Sequence, residues 1–117
     1  YYAATIYRDQ GDFGNAIEFF KYADFDDAII GPMALGGIGD CQVEMNSLEE
    51  GAASYMKAAK AGNNDFITPM YLKKAGLVYE KIGNKAKALE CYEQIKRDFN
   101  AVNEYTDIDK YINRVRA

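Results

Sequence analysis

The sequence predicts an all-α fold, an α-solenoid of about three helical hairpins closed by a C-terminal capping helix. Three observations carry this. First, one pattern occurs three times: a turn former, then an apolar, a small, an aromatic and a second apolar residue. The copies are Gly11, Phe13, Ala16, Phe20, Ala23; Asn46, Leu48, Gly51, Tyr55, Ala58; and Gly83, Lys85, Ala88, Tyr92, Ile95, with Lys85 the departure. Second, their turn residues lie 35 and 37 residues apart, the length of a two-helix unit that cannot bury its apolar face alone. Third, the segments carry apolar residues at i, i+4 and i+7, and none sustains the alternation of a strand.

Taken in order, helices are expected at 1–10, 13–23, 32–45, 48–61, 69–82, 85–98 and 104–116. Gly11, Asn46 and Gly83 mark the turn inside each hairpin. Asp12 and Asn84 are N-cap candidates, and Ser47 with Glu50 reads as a capping box. Gly31-Pro32 and Thr68-Pro69 are expected to open the third and fifth helices, with Pro at the first helical position. The extra residues of the second copy fall in the 62–67 loop, where insertions cost least. In the last helix, Tyr105, Ile108, Ile112 and Val115 form one stripe, while Asp107, Lys110, Arg114 and Arg116 point away. The repeats divide as 1–29, which lacks its first turn, then 30–65 and 66–101, followed by the helix at 104–116. The chain starts at Tyr1 inside a helix, without Met or a cap, and so reads as a piece of a longer protein.

Composition narrows the chemistry. With 117 residues, the chain can bury roughly 65% of its unfolded surface without a metal or disulfide staple. It has no His, which removes imidazole acid–base chemistry, the hydrolase triads and most zinc sites. The net charge of −4 disfavours nucleic acid as a partner, and no apolar run approaches a membrane span. Charge is uneven, −7 over residues 1–66 and +3 over 67–117. Cys41 and Cys91 lie in apolar helical patterns with no metal spacing and read as buried thiols. Leu35-Gly-Gly-Ile-Gly-Asp40 lacks the glycine spacing, strand and Lys of a phosphate loop. Its mid-helix glycines point to close packing, or to close approach of a ligand to the helix. Asp24, Asp26 and Asp27 lack calcium-loop spacing and read as a solvated loop. Glu49 and Glu50 complement a helix dipole rather than forming a catalytic pair.

The repeat resembles the tetratricopeptide repeat (TPR) family. In the third copy Leu72, Ala75-Gly76 and Tyr79 fill the first-helix signature, and Ala88 and Tyr92 fill the second. The second copy offers Leu35, Ile38-Gly39, Gly51 and Tyr55, with Gln42 where the family has Tyr. The first offers Ala3-Ala4, Tyr7, Ala16 and Phe20. The Pro expected at each repeat end is missing. Gly39 and Gly76 are expected where paired helices approach, facing Ala16, Gly51 and Ala88, with Phe20, Tyr55 and Tyr92 filling the space between hairpins. At a finer level Ala34–Cys41, Tyr71–Tyr79 and Asp107–Ile112 are similar to bacterial TPR proteins with a membrane anchor and repeats facing the periplasm.

The resemblance implies a non-enzymatic protein–protein interaction module, with no cofactor and no metal. A protein or peptide partner would lie in a concave groove lined by first helices. Carried over by position, that groove shows Thr5 and Arg8; then Met33, Gly36, Asp40, Val43 and Glu44; then Met70, Lys73, Lys74, Leu77 and Lys81. Met and Leu beside Lys would suit a mixed apolar and acidic peptide. The family's carboxylate-clamp positions read Tyr1, Thr5, Gly37, Met70 and Lys74, and only Lys74 suits that role, so the clamp is rejected. The alternative is an assembly role, in which the open end near Tyr1, Tyr2 and Ile6 packs on upstream helices or another copy.

Overall fold

A computed structural model describes residues 1–102 and 106–117. Its described residues form seven helices and no strand: α1 (Tyr2–Asp9), α2 (Phe13–Phe20), α3 (Ile30–Glu44), α4 (Leu48–Ala61), α5 (Ile67–Ile82), α6 (Lys85–Phe99) and α7 (Ile108–Arg116). Each helix packs on the next in sequence. The first helices of successive hairpins also touch, α1 on α3 and α3 on α5. The stack measures 40 × 28 × 18 Å. This is a solenoid of helical hairpins.

One turn is built three times. Gly11, Asn46 and Gly83 all take positive φ, at 81°, 63° and 91°. The following residue's N–H donates back to Tyr7, Gln42 and Tyr79 respectively, each at 2.8 Å. The turn residue's own N–H donates to Arg8, Val43 and Glu80, each at 3.0 Å. These paired bonds satisfy the orphan carbonyls at a helix end and require a left-handed residue there, hence Gly or Asn. Asp12 and Asn84 then cap the next helix, accepting from Asn15 N–H at 3.4 Å and Lys87 N–H at 3.1 Å.

The capping box at Ser47 does not form, since its side chain makes no cap bond. Its N–H, which Glu50 would have had to reach, is already held by Gln42. The helices at 32 and 69 begin two residues earlier than expected, because Asp27 and Asn64 start them. Asp27 Oδ1 accepts from the N–H groups of Ile29 and Ile30, at 2.9 and 2.8 Å. Asn64 Oδ1 accepts from Phe66 and Ile67, at 2.8 and 2.7 Å. Pro32 and Pro69 thus sit at the third helical position, still among the four N–H groups that lack intrahelical partners. The acidic loop is therefore more than solvated charge. Those backbone bonds hold the Asp27 carboxyl below its ordinary 3.8.

α2 ends at Phe20 rather than 23. Tyr22 and Ala23 continue only as tighter turns, donating to Phe19 and Phe20, and Asp24 then caps Asp26 N–H at 3.0 Å. Local side-chain bonds of this kind compete with helix continuation. The last helix is described from Ile108; Glu104 and Tyr105 lie outside the described residues.

The glycines of the first helices seat the aromatics. A Cβ on Gly37 would lie 2.4 Å from the Phe20 ring, and one on Gly76 would lie 2.5 Å from Tyr92. A Cβ on Gly39 would lie 2.8 Å from Tyr55. Phe20 and Tyr92 are fully buried. Tyr55 stacks on Tyr71 of the next hairpin at 5.9 Å, and Tyr92 meets Tyr111 of α7 at 5.4 Å. The aromatics therefore join successive units, as expected. Cys41 and Cys91 are buried and free, and burial pushes both thiols up to about 11.

Candidate functional site

Two first helices and one second helix bring three distant side chains onto one carboxylate. Asp40 of α3 accepts from Arg8 Nη1 of α1 at 3.2 Å and from Lys74 Nζ of α5 at 3.1 Å. Tyr55 of α4 donates its hydroxyl to Asp40 Oδ1 at 2.5 Å. The carboxylate is only 23% exposed. A charge so placed needs several partners, and three hairpins supply them. Lys74 also lies over the rings of Tyr55 and Tyr71, at 5.5 and 5.7 Å. Arg8 lies 5.9 Å from the Phe20 ring. Desolvation, the bond to Asp40 and its charge all raise the Tyr55 hydroxyl, so it stays a donor.

Around this centre is a cleft of about 340 Å³ lined by Arg8, Asp9, Phe13, Asp40, Val43, Glu44, Tyr55 and Lys74. Five of the expected groove residues therefore share one cleft: Arg8, Asp40, Val43, Glu44 and Lys74. Met33 is half-buried beside Tyr71, whose hydroxyl donates to its Sδ at 3.4 Å. Met70 is half-buried on the core, while Leu77 and Lys81 are exposed. The Thr5 hydroxyl is turned to its own helix, donating to the Tyr2 carbonyl at 2.7 Å.

Gly36 is a correction. It is buried, and a Cβ there would fall 2.1 Å from the Tyr71 ring, so its surface belongs to helix packing rather than to an open groove. The adjacent lysines also part company. Lys74 turns to Asp40, whereas Lys73 lies 4.8 Å over the Tyr111 ring of α7.

A second cluster follows at the C-terminal end. Glu80 of α5 accepts from Arg114 Nη2 at 2.6 Å and from the Tyr92 hydroxyl at 2.6 Å. Burial raises the Glu80 carboxyl, but the bonds from Arg114 and Tyr92 outweigh it and leave it below its ordinary 4.5. Arg114 and Arg116 were expected to point away. They reach back instead, to Glu80 and to Glu93, the latter at 2.6 Å.

Sequence reasoning missed Tyr55, Tyr71 and Phe13 as parts of the site. Tyr55 was legible only as an aromatic joint. Its bond to a residue fifteen positions earlier follows no helical period, so only the folded hairpin reveals it.

Comparison with protein families gives one match: a tetratricopeptide repeat model aligns with residues 69–97, from the first turn of α5 through most of α6. Residues 69–97 are similar to a tetratricopeptide repeat. The match falls on the copy whose signature is fullest, and the described helices are those of a TPR-like solenoid. A tetratricopeptide repeat points to a protein–protein interaction module, in a family that is typically a non-catalytic scaffold. The match concerns the repeat unit and lends nothing to the anchored bacterial likeness. No curated protein matches the chain. No helix among the described residues is long and apolar enough to cross a membrane.

Proposed function

We propose that this chain is a non-enzymatic adaptor that holds a segment of a protein partner against the first helices of its repeats, α1, α3 and α5. The observation that carries the reading is the Asp40 centre. One carboxylate ties Arg8 and Lys74, and so joins the three first helices beside a cleft. A face fixed before the partner arrives loses little conformational freedom on binding. Val43, Met33, Met70 and Leu77 offer apolar contact on that side, and Glu44 and Lys81 offer charge.

The test is affinity capture from native cells by the full-length protein, with an Asp40→Ala variant beside it. Circular dichroism checks that the variant is folded. Loss of a partner by the variant supports the reading. Capture of an unchanged set contradicts it.

A second reading has its own observation. Tyr2 and Ile6 of α1 are 76% and 57% exposed, and Tyr22, in the turn after α2, is 85% exposed. Such a surface suits packing on further helices or on a second copy. In that case a Tyr2→Glu, Ile6→Glu variant changes the oligomeric state, and the Asp40 variant does not.

A further inference from the structure

We infer that the segment bound by this face carries opposite charges at its two ends, basic over α1 and α3 and acidic over α5. The inference rests on the adaptor reading and adds the chemistry of the partner. The repeat register places Asp9, Glu44 and Lys81 at one position of three successive first helices, each at or next to the helix's last residue. All three are exposed, so the row across the face reads negative, negative, positive.

The neighbouring charges are largely spent within the chain. Asp40 takes Arg8 and Lys74, and Glu80 takes Arg114. The lysine that a sequence reader would offer to an acidic peptide, Lys74, is therefore already engaged. Asp9 meets Arg8 Nε at 3.4 Å, yet 72% of its side chain stays open to solvent.

The helix dipole supplies a second argument. A helix C-terminus carries partial negative charge and favours cations. Lys81 obeys that rule, whereas Asp9 and Glu44 break it. At α1 the Arg8 of the same turn offsets part of the Asp9 charge, whereas the last turn of α3 holds no basic residue beside Glu44. That arrangement costs stability in the free chain and is offset when a cation docks there. Rule-breaking of this kind belongs at functional positions. Phe13 and Val43 line the cleft beside Asp9 and Glu44 and supply apolar surface there, and Leu77 of α5 is exposed.

The test uses short synthetic peptides with one apolar centre and three charge patterns: basic and acidic ends, all basic, and all acidic. Binding is measured at low salt to the parent, to Glu44→Lys and to Lys81→Glu. Circular dichroism confirms that each is folded, and Glu44→Gln and Lys81→Gln serve as milder partners. The bipolar peptide binds the parent most tightly, by about fivefold for each matched end, and salt narrows the gap. Glu44→Lys shifts the preference to the acidic peptide, and Lys81→Glu shifts it to the basic one. Each Gln variant loses about one end's gain. The inference is overturned if a uniformly charged peptide wins on the parent, if the swaps leave the ranking unchanged, or if none of the three binds. Side-chain oxidation of each complex separates the two levels of the argument. Protection of Phe13, Val43 and Leu77 with the wrong charge ranking sinks this inference alone. Protection confined to other surfaces sinks the adaptor reading as well.

Discussion

At its C-terminal end the stack closes with α7, which buries Ile108, Ile112 and Val115 and returns Arg114 to Glu80, Arg116 to Glu93 and Asp109 to Lys96. At its N-terminal end α1 has eight residues, and Tyr2 and Ile6 stand on its open side. Of the nine large apolar side chains exposed among the described residues, six fall within residues 1–29. The two ends are built from the same hairpin grammar, with the same left-handed turns at Gly11 and Gly83. They differ in what covers the last apolar face. A solenoid unit gains stability from its neighbours, so within residues 1–117 the unit lacking a covering helix is the less strongly held.

The comparison breaks most sharply at the aromatic joints. Tyr92→Ala removes a buried ring wedged against Gly76 and leaves Glu80 without its hydroxyl donor. It should cost about 3–5 kcal/mol and unfold the stack cooperatively. Phe20→Ala removes a ring as deeply buried. Its main effect should be loss of α1 and α2 while α3–α7 persist, read as two separated transitions in hydrogen exchange. One shared transition for both variants would erase the distinction between the ends.

Next in size is the cap itself. Ile112→Ala should cost about 2–4 kcal/mol, because it empties the middle of the buried stripe Ile108, Ile112 and Val115 that seats α7. Concentration-dependent association should follow as the apolar face of α6 is uncovered, a change that sedimentation reads directly. The same substitution at Ile6, on the open end, should move stability by no more than about 0.5 kcal/mol.

A smaller effect is acid sensitivity. Glu80 titrates below its ordinary 4.5 because its charged form is held in the folded chain. Its contribution is therefore complete above that value and is lost as pH falls through the lower folded value. Glu80→Gln should flatten the acid limb of the stability profile and leave neutral pH as the region of largest difference. Asp27 follows the same sign through its bonds to the N–H groups of Ile29 and Ile30. Asp27→Asn keeps the cap and removes the charge, so it should leave α3 formed while flattening the profile below about pH 4.

Much of this was legible because repeated positions share one physical cause. The left-handed turns at 11, 46 and 83 follow from Gly and Asn, and the close approach of paired helices at Gly39 and Gly76 follows from their small size, though the rings of Tyr55 and Tyr92, rather than small residues alone, press on them. The apolar stripe of α7 was equally plain. What stayed hidden involves side chains whose partners lie outside any helical period. Asp27 and Asn64 as helix starters were obscured by the prolines, which draw the boundary two residues late. The Asp40 centre joins residues 32 and 34 positions away, on separate helices. Gly36 was placed on the groove by register alone, and the Tyr71 ring above it comes from the next repeat.

The central claim is that partners bind on the first-helix face beside Asp40, and side-chain oxidation of the chain with and without its captured partner tests it most directly. Protection is expected at Met33, Met70 and Leu77, with Tyr2, Tyr22 and Phe66 unchanged. Protection of Tyr2 and Tyr22 with Met33 and Met70 still reactive would contradict the account and move function to the open end of the stack.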